Sequence, residues 1–282
     1  MTIAVTAVSG QLGAAIIRTL QAKPNAGPLV GLARTPEKAL GLGIEVRPAD
    51  YEQPEQLAAA LAGVETLLLV SGMEAPDRRI QQHRNVIAAA ISAGVKKIVY
   101  TSVQGAETGT GFSPVIQSNR QTEADIRASE LNWVIGRNGI YIEPDVDYID
   151  RYKASGEIVN CAGSGMCGYT TRSELAHAYA EMLLGSAHHG QTYNLHGEGL
   201  TQADLAAHLT RAFGTPLVYR PMSVEAYKAD RIAELGDFIG TVIAGIYHGI
   251  RVGALNNPSD YNRAAGRPHQ SWQTYFKALS QI

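Results

Sequence analysis

The sequence has little cysteine, no long apolar run and no leader-like beginning. Cys161 and Cys167 are its only two cysteines, too few for a disulfide framework and not spaced as a zinc-binding pair. No run reaches the roughly 18 apolar residues of a membrane span. Residues 1–10 lack the basic and apolar parts of a secretory signal. We therefore expect a cytoplasmic protein that binds neither a metal nor a membrane.

The chain also lacks an excess of charge of either sign. Its 24 Lys and Arg residues against 26 Asp and Glu residues give a formal net charge of −2. Because no block of like charge occurs, nucleic acid is not an expected partner, and a small-molecule ligand is. Hydrophobic residues make up 45% of the 282 positions. This content is enough for one large domain, or for a domain with a smaller appendage.

Short apolar runs alternate with helical patterns through the first half of the chain. We predict strands at residues 3–6, 29–33, 44–46, 66–70, 97–101 and 133–136. The segments between them show helical periodicity or begin with a proline that suits a first helical turn, such as Pro36, Pro54 and Pro114. Strands joined by helices of this length form a parallel sheet with right-handed crossovers. The predicted fold class is α/β, with a doubly wound parallel sheet of the Rossmann type.

This alternation changes after residue 137. A loop rich in Tyr, Asp and Pro is followed by Gly-rich turns, then by a helix and a strand within residues 173–196. The remainder is mainly helical, and Thr201 is an expected N-cap. We predict a cofactor-binding Rossmann domain at residues 1–137, to which residues 173–196 return. Residues 138–172 and 197–282 are predicted to form a smaller, mainly helical lobe on the substrate side.

The strongest motif is Thr6-Ala7-Val8-Ser9-Gly10-Gln11-Leu12-Gly13, where the first predicted strand turns into the first helix. A helix N-terminus directs free N–H groups at an anion, and Gly10 lets the backbone approach a pyrophosphate. Gly13 allows close packing of helix on strand. The alternative is an ordinary strand-to-helix turn that contains two glycines. Its position after a strand and before a helix favours a dinucleotide-binding loop.

This segment resembles the Thr-Gly-Ala-Thr-Gly-Gln-Leu-Gly loop of atypical short-chain dehydrogenases in the NmrA-like group. Within that group it is most similar to NADPH-dependent quinone oxidoreductases and bacterial triphenylmethane reductases. The resemblance covers most of the first 200 residues and implies an NADP(H)-dependent reductase. It extends over Leu32-Ala33-Arg34-Thr35-Pro36-Glu37-Lys38, Arg47-Pro48-Ala49-Asp50-Tyr51, Gln82-His83-Arg84-Asn85-Val86-Ile87, Tyr100-Thr101-Ser102, Arg137-Asn138-Gly139-Ile140-Tyr141 and Thr171-Arg172-Ser173-Glu174-Leu175-Ala176.

The sequence departs from the family pattern at Ala7, where the family has glycine. If the loop needs a positive φ there, the methyl group strains or shifts it, and Ala7→Gly is then expected to tighten dinucleotide binding. The Tyr-x-x-x-Lys pair of standard short-chain dehydrogenases is also absent, since no tyrosine of this chain has a lysine four residues later. The corresponding helix has Asn119 where standard members keep their lysine.

The residue after the second predicted strand indicates which dinucleotide is bound. An NAD-binding fold has an acid about 20 residues beyond the glycine loop, which bonds the ribose 2′-hydroxyl. This chain has Arg34 there, and a guanidinium favours a 2′-phosphate; a solvated surface cation is the alternative. We predict NADP(H). Asp50 and Tyr51 flank the adenine by resemblance, although an exposed turn pair fits them nearly as well.

The other cofactor contacts are predicted at the carboxyl ends of the fourth, fifth and sixth strands. Val70, Ser71 and Gly72 are expected near the ribose and pyrophosphate, and Thr101 and Ser102 near the nicotinamide. Further candidates are the amide of Asn119, expected at the nicotinamide ribose, and two residues on the nicotinamide side, Asn138 and Tyr141. Asn119 and Tyr141 are our catalytic candidates; a surface amide and a lobe-packing tyrosine are the respective alternatives.

The missing Tyr-Lys pair narrows the expected chemistry. Reduction of an isolated ketone creates an alkoxide that needs a proton donor in the site. Hydride addition to a quinone or a conjugated cation leaves a delocalised anion or a neutral product, which water can protonate. We therefore predict an NADPH-dependent reductase of a quinone-like, aromatic or other conjugated acceptor, acting as a monomer or homodimer. The alternatives are a non-catalytic NADP sensor and a biosynthetic enzyme with a non-reductive reaction.

Overall fold

The computed structural model describes residues 1–280. Within this range the chain forms eleven strands and twelve α-helices. The strands are β1 (Ile3–Thr6), β2 (Leu29–Ala33), β3 (Glu45–Pro48), β4 (Thr66–Leu69), β5 (Lys97–Val103), β6 (Asn132–Asn138), β7 (Ile140–Tyr141), β8 (Glu157–Asn160), β9 (Tyr169–Thr170), β10 (Gln191–Leu195) and β11 (Val218–Pro221).

The helices account for most of the remaining regular structure. They are α1 (Gln11–Gln21), α2 (Pro54–Ala60), α3 (Pro76–Ser92), α4 (Ser113–Ala128), α5 (Glu143–Asp147), α6 (Ile149–Ser155), α7 (Arg172–Leu184), α8 (Gln202–Phe213), α9 (Val224–Leu235), α10 (Asp237–Arg251), α11 (Tyr261–Ala265) and α12 (Trp272–Leu279). The helix predicted after Pro36 is a 3-10 helix, Pro36–Leu42, which ends at Gly43 with φ of 66°. None of the helices within residues 1–280 has the length and apolar character that crossing a bilayer requires.

Seven parallel strands form the main sheet, in the order β10-β6-β5-β4-β1-β2-β3. Every residue of the two central strands β1 and β4 is buried, as strands covered on both faces must be. The order reverses at β1, from which the chain moves first toward β3 and then back through β4 to β10. The predicted doubly wound α/β fold is confirmed.

Two apolar layers cover the sheet, one on each face. Helices α1 and α7 pack on the first face around Ile16, Ile17 and Tyr179. Helices α2, α3 and α4 cover the second face through residues such as Leu57 and Val86. Both layers leave the carboxyl edge of the sheet uncovered by helix bodies, and this edge is where the strand-following loops converge.

The rest of the chain forms a separate cluster beside that edge. It contains two small parallel sheets, β7 with β9 and β8 with β11, together with α5, α6, α8, α9, α10 and α12. Its apolar core includes Ile142, Tyr169, Leu205 and Ile250. Thr201 caps α8 as predicted, and Asp204 completes a capping box. Helix α11 packs back on α7 and shares the core of the main sheet.

Candidate functional site

The turn after β1 presents an uncapped helix to the carboxyl edge. Gly10 is the N-cap of α1, no side chain caps the helix, and its first turn carries no acid. Ser9, Gly10 and Gln11 are exposed. Free N–H groups and the positive end of the helix dipole therefore face solvent, the arrangement that binds a phosphate.

The two unusual backbone positions of this loop are Ala7 and Gly13. Ala7 has φ of 52°, which is the left-handed region that favours glycine. A Cβ on Gly13 would lie 2.6 Å from the Ala7 carbonyl oxygen, so only glycine fits at this helix-on-strand contact. The Ala7 carbonyl also accepts a hydrogen bond of 2.9 Å from Gly10 N–H. The loop thus forms despite the alanine.

Arg34 and Asp50 follow β2 and β3, on one side of the helix end. Arg34 is exposed, and its guanidinium makes no ion pair or side-chain hydrogen bond within residues 1–280. Asp50 is half-buried, and its Oδ1 accepts from Glu52 N–H at 3.0 Å. Arg34 is consequently available to an anion, whereas Asp50 stabilises its own turn.

Thr6 and Tyr51 face each other beneath the edge. The Tyr51 hydroxyl lies 2.5 Å from Thr6 Oγ1 and 2.8 Å from the Val70 carbonyl oxygen. Thr6 Oγ1 in turn accepts from Val70 N–H at 2.8 Å. Burial raises the pKa of Tyr51, so the phenol stays protonated. These contacts connect the ends of β1 and β4 to the loop after β3.

The loop after β4 is held from behind. Ser71 N–H donates to Thr101 Oγ1 at 2.8 Å, and Gly72 N–H donates to His83 Nε2 at 3.0 Å. His83 Nδ1 lies 2.9 Å from the hydroxyl of Thr122. Burial lowers the pKa of His83 to about 3, so the ring is neutral at pH 7 and accepts through Nε2. The side chains of Thr101 and His83 thereby fix the Ser71–Gly72 backbone.

Asn119 lies next to that loop but is only 2% exposed. Its Oδ1 accepts from the Tyr100 hydroxyl at 2.7 Å and from Ser71 Oγ at 3.3 Å. Its Nδ2 donates to the Val115 carbonyl at 2.8 Å, which leaves one amide hydrogen for another partner. The predicted alternative of a surface amide is therefore wrong, because the side chain is buried in this network.

Ser102 points away from the loop after β4. Its hydroxyl donates to Glu123 at 2.7 Å, and Glu123 also contacts three arginines on the α4 side of the sheet. Successive residues of a strand point to opposite faces, so Thr101 and Ser102 cannot both face the same ligand. Ser102 stabilises the junction of β5 with α4.

Asn138 and Tyr141 meet at the end of β6. The Tyr179 hydroxyl donates to Asn138 Oδ1 at 2.5 Å, and Asn138 Nδ2 donates to the Tyr141 hydroxyl oxygen at 3.3 Å. The Arg172 guanidinium lies 5.2 Å from the centre of the Tyr141 ring. Burial raises the pKa of Tyr141 to about 12. Its hydroxyl hydrogen has no acceptor within residues 1–280 and can be donated to a ligand.

Helix α3 carries residues that the sequence did not assign to the site. His83 holds Gly72, while Asn85 Nδ2 donates to the Tyr51 carbonyl at 2.9 Å. Gln82 Nε2 donates to Glu52 at 3.1 Å. Gln82, His83 and Asn85 therefore position the loops after β3 and β4. They lie in one of the segments that resemble the family, and their run of polar residues on an otherwise amphipathic helix is the sequence signal that could have indicated this role. Within the described range, no group of three His, Cys, Asp or Glu residues is arranged to hold a metal.

Comparisons with known proteins agree with this geometry. The family described as NAD(P)H-binding matches residues 8–184. Quinone oxidoreductase 2 of Escherichia coli (strain K12) is 37% identical over 233 residues, which are 80% of this chain and 80% of that protein. The crystal structure of an NADPH-dependent quinone oxidoreductase from Escherichia coli complexed with NADPH is 34% identical. The TM-score is 0.90, and the match covers 98% of this chain and 99% of the chain in that crystal structure.

A second enzyme of known structure is equally similar. The Citrobacter sp. triphenylmethane reductase complexed with NADP(H) is 35% identical, with a TM-score of 0.89 and coverage of 99% of each chain. The resemblance predicted from the glycine loop and the strand-following segments is thus confirmed. With a family match over more than half of its length and a relative above 30% identity, the chain belongs to the NAD(P)H-binding family that includes these quinone and triphenylmethane reductases.

Proposed function

We propose that this protein is an NADPH-dependent reductase that delivers hydride to a quinone-like or other conjugated, electron-poor acceptor. The observation that carries the proposal is the open end of α1, uncapped and free of acids, with the unpaired guanidinium of Arg34 beyond the neighbouring strand. This pair of features suits a dinucleotide with a 2′-phosphate. Both compared crystal structures contain NADPH or NADP(H).

The proposed cofactor site runs along the carboxyl edge of the sheet. The backbone of residues 9–13 binds the pyrophosphate, and Arg34 binds the 2′-phosphate. Val70, Ser71 and Gly72 line the path of the dinucleotide, while Thr6, Tyr51 and Thr101 hold these loops in place. Asp50 and Ser102 support the loops after β3 and β5. This division into contacting and supporting residues follows their hydrogen bonds.

Bound NADPH supplies the hydride, and the protein aligns the acceptor with it. Asn119, held by Tyr100 and Val115, has one amide hydrogen left for the nicotinamide ribose. Tyr141 has a hydroxyl hydrogen free to bond an acceptor oxygen, and Asn138 orients that hydroxyl. Because its pKa is raised to about 12, Tyr141 is a weak proton donor. Its role is therefore to position the acceptor by a hydrogen bond. A conjugated acceptor needs no more than this.

We also propose the domain division expected from the sequence. Residues 1–137 with 173–196 form the cofactor domain, and residues 138–172 and 197–282 form the substrate lobe except for α11, which packs on the cofactor domain. The packing of α7 on α1 and the place of β10 in the main sheet support it. Two cysteines that are both buried and unpaired fit a reducing, cytoplasmic compartment. A monomer or homodimer acting on a small molecule completes the proposal.

Replacement of Arg34 tests the cofactor assignment. Arg34→Ala is expected to weaken NADPH by roughly 10- to 150-fold, the value of a charge-assisted hydrogen bond of ~1.5–3 kcal/mol, and to leave NADH nearly unchanged. Calorimetric titration of both dinucleotides measures this. Arg18→Ala, which removes an exposed arginine from the last turn of α1, is the matched control and should bind both as the wild type does. Equal weakening of the two dinucleotides by Arg34→Ala removes Arg34 from the 2′-phosphate site.

Turnover separates the reductase from its alternatives. Purified protein with NADPH is assayed on matched panels of quinones and cyclic ketones. We expect oxidation of NADPH with the quinones and little with the ketones. Turnover of the ketones alone contradicts the proposed acceptor class. Cofactor binding without turnover of any acceptor favours a sensor, and failure to bind either dinucleotide favours a non-reductive reaction.

A further inference from the structure

Arg79 is a buried cation without an anionic partner. It lies in the first turns of α3 and is only 5% exposed. Its Nη1 donates to the Gly72 carbonyl at 3.2 Å, and this is its only side-chain hydrogen bond within residues 1–280. The buried Nε has no hydrogen-bond partner there. Burial lowers the pKa of Arg79, and an arginine nevertheless stays charged at pH 7.

The other buried cations of the described range are all satisfied. Arg231, 7% exposed, contacts Asp230 and Glu234. Lys97, 6% exposed, donates to three carbonyl oxygens at the end of α7. Burying a charge without a counter-charge is unfavourable, so Arg79 is an exception that calls for a missing partner.

No nearby carboxylate fills that role. The adjacent Arg78, on the exposed side of α3, forms the ion pairs with Glu52 and Glu74. Glu52 also accepts from Gln82, so its oxygens are in use. The helix phase therefore separates two neighbouring arginines: one neutralises the surface acids, and the other faces the loop after β4 without any acid.

The sheet order indicates which anion completes Arg79. The open end of α1 follows β1, Arg34 follows β2 on one side, and the Gly72 loop follows β4 on the other. Strands are about 4.8 Å apart, so Arg34 and Arg79 lie on opposite sides of the helix end. With Arg34 assigned to the 2′-phosphate, the group within reach of Gly72 is the pyrophosphate or the nicotinamide half of the dinucleotide.

We propose that Arg79 is a further cofactor-binding residue that pairs with an oxyanion of the dinucleotide, its pyrophosphate. This rests on the proposed function, because it needs a bound dinucleotide. Nη1 keeps the Gly72 carbonyl, and Nε–H and the two hydrogens of Nη2 are donors left for the phosphate oxygens. Arg79 thereby couples the loop after β4 to the bound cofactor: the same guanidinium holds the loop and the ligand.

Binding titrations of NADPH and NADH test the proposal without any turnover. Arg79→Gln keeps a donor for the Gly72 carbonyl and removes the charge. We expect it to weaken both dinucleotides by a similar factor, roughly 10- to 150-fold. Arg79→Lys keeps the charge without the planar fork and should recover part of the loss. Arg84→Gln, an exposed arginine of the same helix paired with Asp125, is the matched control and should bind as the wild type does.

The outcomes are distinct. Weakening of NADPH alone overturns the proposal, because NADH carries the same pyrophosphate and lacks only the 2′-phosphate. Unchanged affinity for both dinucleotides, together with a lower melting temperature, overturns the proposal, because Arg79 then only holds Gly72. If Arg79→Gln does not fold, Arg79→Lys decides: wild-type affinity for both dinucleotides overturns the proposal. Failure of the wild type to bind either one contradicts the proposed function itself.

Discussion

Each half of the molecule has a buried carboxylate with several partners, and the two are stabilised in opposite ways. Glu123, on α4 beneath the main sheet, is fully buried and contacts Arg120, Arg127 and Arg137 at 2.8, 3.0 and 2.7 Å. Asp145, on α5 in the lobe, is 5% exposed and forms no ion pair within residues 1–280. It accepts instead from three phenols, those of Tyr152, Tyr169 and Tyr247, at 3.3, 2.9 and 2.8 Å.

The difference sets the charge state of the two carboxyl groups. Burial acts to raise the pKa of Glu123, but the arginines and the hydroxyl of Ser102 hold it below its usual range. Burial also raises the pKa of Asp145, and there the three phenols reverse the rise only in part. Glu123 is therefore held ionised by neighbouring cations, whereas Asp145 is held by hydroxyl groups and resists ionisation.

The largest expected effect is at Glu123. Glu123→Gln is nearly the same size but removes the charge, which leaves Arg137 without its counter-ion and Arg120 with only the exposed Glu107, 3.9 Å away. We expect the free energy of unfolding to fall by about 3–5 kcal/mol, as when one partner of a buried ion pair is removed. Urea unfolding followed by circular dichroism measures it.

A surface pair provides the control for this prediction. Glu181→Gln breaks the pair with Lys23, whose side chains are 34% and 28% exposed, and should change stability by at most about 0.5–1 kcal/mol. Similar losses for Glu123→Gln and Glu181→Gln would show that the arginine cluster contributes no more than an exposed pair. The strong ionic stabilisation ascribed to Glu123 would then be wrong.

The next effect is one of pH and distinguishes the two carboxylates by sign. A raised pKa in the folded state means that the native protein binds the Asp145 proton more tightly than the unfolded chain. The stability from this group is present below the unfolded pKa of about 3.9 and is lost as pH rises through the folded pKa. Asp145→Asn removes that dependence.

We therefore expect Asp145→Asn to cost more stability at pH 4.5 than at pH 7, where the wild type carries the unfavourable buried charge. Over the whole titration, from below the unfolded pKa to above the folded pKa, the change is about 1.4 kcal/mol for each unit by which the pKa is raised, and the comparison of pH 4.5 with pH 7 measures the part above pH 4.5. Glu123→Gln should show the reverse trend below pH 4.5, since its lowered pKa makes the wild type lose stability as pH falls. Melting temperatures across this range measure both. A flat difference for Asp145→Asn would show that Asp145 is ionised as readily in the folded protein as in the unfolded chain.

The same contrast explains how much could be predicted from the sequence. The strands of the cofactor half are short apolar runs because both faces of the sheet are covered. Their positions along the chain therefore follow from the local sequence pattern. The Asp145 cluster joins residues 152, 169 and 247 from separate elements. No periodicity marks such a contact, and the sequence therefore predicted only a mainly helical lobe.

For the candidate site residues, the sequence predicts positions along the sheet but not the directions of the side chains. Ser102 and Asn119 were expected at the cofactor because they follow the right strand or lie on the right helix. In the structure Ser102 bonds Glu123 and faces away from the loop after β4, whereas Asn119 bonds Tyr100 and keeps one amide hydrogen free. Both directions depend on strand alternation and helix phase. Arg79 is not singled out by the sequence for the same reason. It is adjacent to Arg78, and only the helix face that each residue occupies decides which of the two is buried.

The smallest expected effect is at Ala7, a position in the cofactor half where the backbone is strained and no charge is buried. With φ of 52°, the alanine costs roughly 1–2 kcal/mol relative to an ordinary conformation, while glycine adds ~0.5–1 kcal/mol of unfolded-chain entropy. Ala7→Gly should therefore stabilise the protein by about 1 kcal/mol or less. The strain is present with and without ligand, since the loop already forms with the alanine, so NADPH affinity should change by less than about threefold. This revises the tighter binding expected from the sequence alone.

Ala14→Gly, in the regular part of α1, is the matched control and should destabilise by ~1 kcal/mol. Melting curves and calorimetric titration of both variants decide the point: a much tighter NADPH complex for Ala7→Gly would mean that the methyl group itself obstructs the cofactor.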